Sequence, residues 1–403
     1  MELPRFDPFH PQMRRDPFAV YRRYAETAPV HWGKPSNPGL TGAWYAFDHD
    51  SARRILKDRV FGREVHRKVA NRARPPHLRP LLEHVDRWVM FRDPPYHGHL
   101  RAPLAGFFSS QNAAAYAPAR EALVHAHLER LGRRESFDVV TDLAVPLARA
   151  SLAMLSGIRE AELNALASWT THMAKVLDLK RDRASYGVSG AIAEDLGHRL
   201  RRRLAAPAGG EGPCLRARLV ELVHAGELSL EEAVSTLMLV LVTGQETTRN
   251  VIANGVFALL QNPGELALLR ERPALAESCV EEILRFAPPV HLAGRIARDE
   301  VTLGGARILP GDPVVACLAS ANRDPRLASA PEAFVISRPR SRHVAFGSGI
   351  HLCLGLWFAR GLAADLFRAL APLLADLRVA GPPLWRPLIL FRSLASLPVE
   401  RRA

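Results

Sequence analysis

Along most of the chain, apolar residues return at three- and four-residue intervals, the period of a helix with one buried face. Ala- and Leu-rich stretches at 113–131, 143–155 and 215–224 carry this pattern most clearly and predict helices. Alternation of period two is confined to short patches at 42–47, 300–309 and 313–319, the second interrupted by Gly304-Gly305 as a hairpin turn requires. The expected fold class is therefore mainly α with small, peripheral β-sheets.

Ser229-Leu230-Glu231-Glu232 has the form of a capping box, in which serine and glutamate satisfy backbone donors that a helix start leaves orphaned. A long helix is predicted to begin there. No proline follows until Pro263, so it can run to about Leu260 and cross a domain's core. The Ala/Gly/Pro segment 205–213 reads as a surface loop rather than a linker. No repeat of ~20–50 residues is evident, and a single domain over 1–403 is expected.

A hydrophobic share of 48% and a charged share of 24% belong to a globular chain with a core large enough to house a buried cofactor. The excess of 54 basic over 41 acidic residues gives a net charge of +13, compatible with nucleic acid, a membrane surface or an acidic partner. Lysine occurs only at Lys34, Lys57, Lys68, Lys175 and Lys180, so arginine supplies almost all of this charge. A GC-rich genome produces that bias without any binding role, and neither nucleic acid nor membrane is expected as a partner. The first residues lack the basic, apolar and small-residue segments of a secretory signal. The strongly apolar run Leu237 to Val242 falls far short of the ~18 residues of a membrane span. A cytoplasmic location is the expectation. Cys214, Cys279, Cys317 and Cys353 are scattered with no C-x-x-C pair, which supports neither a zinc ribbon nor a disulfide framework.

The most informative stretch is Phe346-Gly347-Ser348-Gly349-Ile350-His351-Leu352-Cys353-Leu354-Gly355. Closely spaced glycines let the backbone curl and approach a flat ligand, and amides of the turn and of the following helix start can stabilise a thiolate. A lone cysteine near glycines is usually a structural thiol; the whole string F-G-x-G-x-H-x-C-x-G is far more specific. It resembles the haem-binding loop of cytochromes P-450, and the family's other landmarks follow in their usual order. Glu282-Ile283-Leu284-Arg285 is similar to the E-x-x-R helix, with Arg338 as its third member. Thr243-Gly244-Gln245-Glu246-Thr247-Thr248 resembles the oxygen-binding sequence of the long helix, with Thr243 standing where the family usually has Ala or Gly. Asp93-Pro94-Pro95-Tyr96-His97-Gly98-His99-Leu100-Arg101 and Asn322-Arg323-Asp324-Pro325 are further landmarks, so that the likeness runs from Asp93 to Val399.

The resemblance implies the cytochrome P-450 fold, with haem b (iron protoporphyrin IX) between the long central helix and the cysteine loop. Cys353 is then the iron ligand, and Phe346, Gly347, His351 and Gly355 belong to its loop. His97, Arg101, Arg295 and, from the loop, His351 hold the cofactor's carboxylates, for which buried charge needs partners. Glu246 and Thr247 relay protons, and Glu282, Arg285 and Arg338 are structural. Substrate walls are expected from the 65–88 loop and from Met238, Val242, Thr243, Val290, His291, Leu292, Ala293, Leu390 and Phe391, with His291 as a polar anchor. The implied reaction puts one atom of O2 into a lipophilic small molecule of secondary metabolism, by hydroxylation or epoxidation. No flavin or iron–sulfur motif is visible, so electrons come from NAD(P)H through a separate ferredoxin and ferredoxin reductase. Fatty acyl or xenobiotic substrates, and a peroxide-driven peroxygenase, are the alternatives; a gas sensor would lack the acid–threonine pair.

Overall fold

The computed structural model describes residues 4–35, 41–64, 78–165, 172–173, 177–178, 183–206, 212–339 and 342–402. The chain divides into two compact units, one of Met1–Gly62, Tyr116–Leu147 and Thr247–Ala403, the other of Arg63–Ala115 and Ala148–Glu246.

The first unit carries every described strand. Its five-stranded sheet has the order Val30–Gly33, Ala43–Ala46, Pro313–Cys317, Leu292–Ala297, Phe61–Gly62, antiparallel except where Ala43–Ala46 meets Pro313–Cys317. Ser136–Asp138, Pro398–Arg401 and Leu377–Val379 form a three-stranded antiparallel sheet. Val301–Leu303 and Ala306–Ile308 form the expected hairpin, its turn made by Gly304 and Gly305 at φ of +53° and +81°, a region open to glycine but strained for other residues. The helix Ala276–Phe286 buries Val280 and Ile283 in an apolar cluster shared with Leu362, Leu366, Phe367 and Leu370 of the helix Leu356–Ala375. These two helices build the floor under the cysteine loop. The sheet content exceeds the expectation because strands of two to four residues are too short to display a period.

In the second unit the described residues are helical, with Arg79–Val85, Tyr96–Arg101, Arg183–Ala205 and Leu215–His224 as its main pieces. The long helix runs from Leu230 to Gln261, within a residue or so of its predicted bounds. The box at its start forms: Glu232 N donates to Ser229 Oγ at 3.3 Å, and Ser229 N donates to Glu232 Oε2 at 2.8 Å. Glu232 also accepts from Tyr96 Oη at 2.7 Å, tying the Tyr96–Arg101 helix to this end of the long one.

Two predicted helices are divided by proline. Pro118 opens a new helix, Ala117–Leu131, after Ser110–Ala115 has ended. Pro146 lies in the first turn of Val145–Ser156, and the preceding Val139–Ala144 winds as a wider π-turn, because proline offers no amide to continue the ladder. Taken together, Val139–Ser156 is long and apolar enough to cross a membrane by length and composition alone, but 61% of it is buried inside the fold, as a core helix is. The 205–213 connector begins where Arg183–Ala205 ends, and its residues 207–211 lie outside the described ones, as do residues 65–77 of the expected substrate loop.

Candidate active site

The cysteine loop is held by its own backbone. Gly347 N donates to Val344 O at 2.8 Å, Leu352 N to Gly349 O at 3.1 Å, and Cys353 N back to Phe346 O at 2.9 Å. Gly347 and Gly349 take φ of +75° and +72°, which lets the loop fold back within so few residues. Gly349 also meets the end of the helix His49–Lys57 so closely that a Cβ there would sit 2.6 Å from Leu56 O. Upstream, Asn322 Oδ1 accepts from Val344 N at 2.7 Å, which gives the N-R-D-P landmark a structural task.

This geometry separates one thiol from the rest. Cys214, Cys279 and Cys317 are buried, and burial pushes the Cys279 and Cys317 thiols well above the usual range; Cys353 is exposed. Beside it Leu352 is 38% and Ile350 42% exposed, so the thiol is flanked by accessible apolar side chains. Leu356–Ala375 starts three residues after the thiol, with its free amides at that end. Arg295 is buried on the strand Leu292–Ala297, its Nη1 donating to Gly294 O at 2.8 Å. An accessible thiol, accessible apolar side chains and a buried guanidinium in one unit are the donor set that a planar, carboxylate-bearing tetrapyrrole needs, and the residues fit it. His351 is half-buried on the loop. His97, buried, and Arg101, half-buried, share one face of Tyr96–Arg101 in the second unit.

The E-x-x-R pair forms a closed network. Arg285 donates from Nε and Nη2 to both oxygens of Glu282, each at 2.7 Å, and from Nη1 and Nη2 to Pro331 O and Ala333 O at 2.7 and 2.8 Å. Arg338 Nε donates to Glu282 Oε1 at 3.3 Å, as its sequence position implied. Glu282 is 3% exposed and Arg285 0%. Every charge is answered by protein, and only Arg338, 10% exposed, reaches solvent.

The long helix contrasts with this. It continues as one helix through Thr243–Thr248. What marks this stretch is accessibility: Val240, Thr243, Gly244, Thr247 and Thr248 keep partial exposure at helical spacing while their neighbours are buried. Thr243 Oγ1 donates to Leu239 O at 2.8 Å, so the unusual threonine closes its hydroxyl onto its own helix. Glu246 is buried and Thr247 half-buried.

The residues named for the substrate wall differ in accessibility. Thr243, Val290, Ala293 and Leu390 retain accessible surface, but Met238, Val242, His291, Leu292 and Phe391 are buried in the core. On the helix, Met238 and Val242 lie off the exposed stripe, while Val240 and Gly244, both missed, lie on it. Counting by three and four from Thr247 would have found them. His291 is a packed core histidine. Its Nδ1 lies 3.2 Å from Tyr21 Oη, its ring meets Phe18 edge-on, and burial, with Arg392 and Arg323 adding to it, pushes its pKa well below the usual value.

The sequence reading also passed over Glu281. Arg360 donates to it from Nε and Nη2 at 2.6 and 2.9 Å, and His343 Nε2 lies 3.3 Å from its Oε2. Burial raises its pKa, but the hydrogen bonds from His343 and Arg360 outweigh burial and bring it to about 2.

With this geometry in place, likeness to known proteins can be set beside it. The family profile described as Cytochrome P450 matches residues 214–388. The chain is 30% identical over 389 residues to the Biotin biosynthesis cytochrome P450 of Bacillus subtilis (strain 168), covering 96% of each. It is 31% identical over 401 residues to the Cytochrome P450 monooxygenase PikC of Streptomyces venezuelae, covering 96% of this chain and 91% of that one. Among solved structures it superposes with a TM-score of 0.89 and 28% identity on P450BioI in complex with hexadec-9Z-enoic acid ligated Acyl Carrier Protein, covering 97% of this chain and 100% of that one.

Proposed function

The chain belongs to the cytochrome P450 family, and from that premise we propose that it is a haem-thiolate monooxygenase which hydroxylates or epoxidises a lipophilic small molecule of secondary metabolism. The observation that carries this reading is the single exposed thiol, Cys353, set in a loop that two left-handed glycines fold back on itself. Haem bound there supplies oxygen activation, which a thiolate axial ligand favours by donating electron density to iron.

The residues divide the remaining work. Arg295 and His351 hold the cofactor's carboxylates, and His97 and Arg101 are assigned to the same carboxylates on the resemblance alone. Phe346, Gly347 and Gly355 shape the loop. Glu246, buried in an apolar helix, passes protons to Thr247, whose Oγ1 presents them on the oxygen side. The partly exposed stripe of Val240, Thr243, Gly244 and Thr247 offers substrate a floor of small side chains with two hydroxyls.

Electrons arrive from NAD(P)H through a ferredoxin reductase and a ferredoxin in the cytoplasm, and a net charge of +13 favours an acidic partner. The neighbour solved with hexadec-9Z-enoic acid ligated acyl carrier protein supports long acyl chains, free or carrier-bound, as the first substrates to screen.

The test is spectral and catalytic. The reduced protein with carbon monoxide should give the band of a thiolate complex, and Cys353→Ser should lose it. Product should form with O2, NADPH and ferredoxin components without added peroxide. An imidazole-type spectrum, or a Cys353→Ser spectrum unchanged from the parent, would sink the assignment; turnover only with peroxide would replace it by a peroxygenase.

A further inference from the structure

Beneath the cysteine loop lies a charged pair that the roles above leave unused. Glu281 and Glu282 are consecutive on Ala276–Phe286, yet they turn to different partners. Glu282 closes the Arg285 network, while Glu281 grips Arg360 in a two-pronged ion pair at 2.6 and 2.9 Å. The Arg360 guanidinium stacks over the Phe346 ring at 4.7 Å from its centroid, and the His343 ring stands on the same phenylalanine at 6.4 Å. Phe346 O in turn accepts the amide of Cys353 at 2.9 Å. The pair is thus one aromatic ring and one hydrogen bond away from the thiol. Its carboxylate side chain is 13% and its guanidinium 22% exposed, so solvent screens both weakly.

We propose that the Glu281–Arg360 pair sets the reduction potential of the iron held at Cys353, an inference that rests on the haem-thiolate reading above. In the one-electron reduction the oxidised iron gains an electron and the site gains a negative charge. A fixed anion nearby opposes that gain and a fixed cation assists it. Paired, Glu281 and Arg360 nearly cancel; removing either alone leaves the other's field uncompensated. Both are positioning residues, acting through Phe346 and the loop rather than on substrate.

This makes a signed forecast. Glu281→Gln leaves Arg360 uncompensated and raises the potential; Arg360→Gln leaves Glu281 uncompensated and lowers it. Each shift should change the reduced-to-oxidised ratio at a fixed poise about threefold, about 30 mV for a one-electron couple. Glu281→Asp and Arg360→Lys keep the charges and should stay near the parent value, and they carry the comparison where a glutamine variant fails to accumulate. The experiment is a dye-mediated spectroscopic titration of purified holoprotein, begun by recording the carbon monoxide complex. If the parent shows no thiolate-type band, the haem-thiolate reading itself falls. If the band is present and Glu281→Gln shifts the potential up while Arg360→Gln shifts it down, the proposal stands. If the band is present and either variant fails to move or moves against its forecast sign, only this proposal is overturned.

Discussion

Glu282 and Thr247 are both polar side chains set into apolar helices, but their surroundings differ in kind. Around Glu282 every donor comes from the protein: Arg285 twice, Arg338 and the amide of Val335, all within 3.3 Å. Thr247 sits on a stripe that the protein leaves partly open, beside a buried carboxylate, on a helix otherwise closed by apolar packing. A polar group enclosed by its own chain works for the fold; one that keeps accessible surface along a core helix can also be reached by a small molecule.

The comparison can be broken first at its structural end. Arg285→Met strips Glu282 of its bidentate partner and leaves a buried carboxylate poorly answered, at a cost of about 3–5 kcal/mol. Urea unfolding should show that loss. A change under about 1 kcal/mol would mean that Arg338 can hold the carboxylate alone.

A second probe lies at the other end of the long helix. His84 Nδ1 meets Ser235 Oγ at 2.8 Å, and burial, with smaller opposing effects from Glu231 and Arg201, lowers its pKa from 6.5 to about 4. Because the folded value lies below the unfolded one, the unfolded chain takes up the proton first as pH falls. Stability is therefore full above about pH 6.5 and drains away down to about 4, by about 3 kcal/mol at 1.36 per unit. Urea midpoints measured across that window should fall with pH, and in His84→Gln the slope should flatten. A slope unchanged in the variant would assign it to other groups.

Smaller still in stability, but large in chemistry, is Thr247→Ala. Unfolding should move by under about 1 kcal/mol, while product formed per reducing equivalent falls by roughly an order of magnitude. Unchanged coupling would remove Thr247 from proton delivery. Thr243→Ala should have the least effect: it loses a bond to Leu239 O but gains helix propensity, for a net change within about 0.5 kcal/mol. Its signature would be altered binding of bulky ligands, read from the spin-state spectrum.

The features most legible in the sequence were those whose partners are local or whose order is distinctive. The Ser229–Glu232 box, the Gly304-Gly305 hairpin and the Glu282–Arg285 spacing all fall within four residues, where helix or turn geometry fixes who meets whom. Arg338 was found because its place after Phe334 follows the family's order. Less legible were arrangements made by the fold at long range. Arg360 and Glu281 stand 79 positions apart and carry no mark of their pairing. Burial divides the residues named for the substrate wall, with Met238, His291 and Leu292 among the buried ones, in a way that contiguous apolar sequence does not show. Strands as short as Phe61–Gly62 hold no pattern to read.

The close approach of Gly349 to the carbonyl of Leu56 bears on how this protein could be remade. A randomised library spanning the loop should recover glycine at that position in nearly every surviving clone, whatever reaction is selected, because even a methyl group would wedge the thiol-bearing turn off the neighbouring helix. Diversity would be admitted at Ser348 and Ile350 instead, so the catalyst's mutable letters lie on either side of one that the backbone has already chosen.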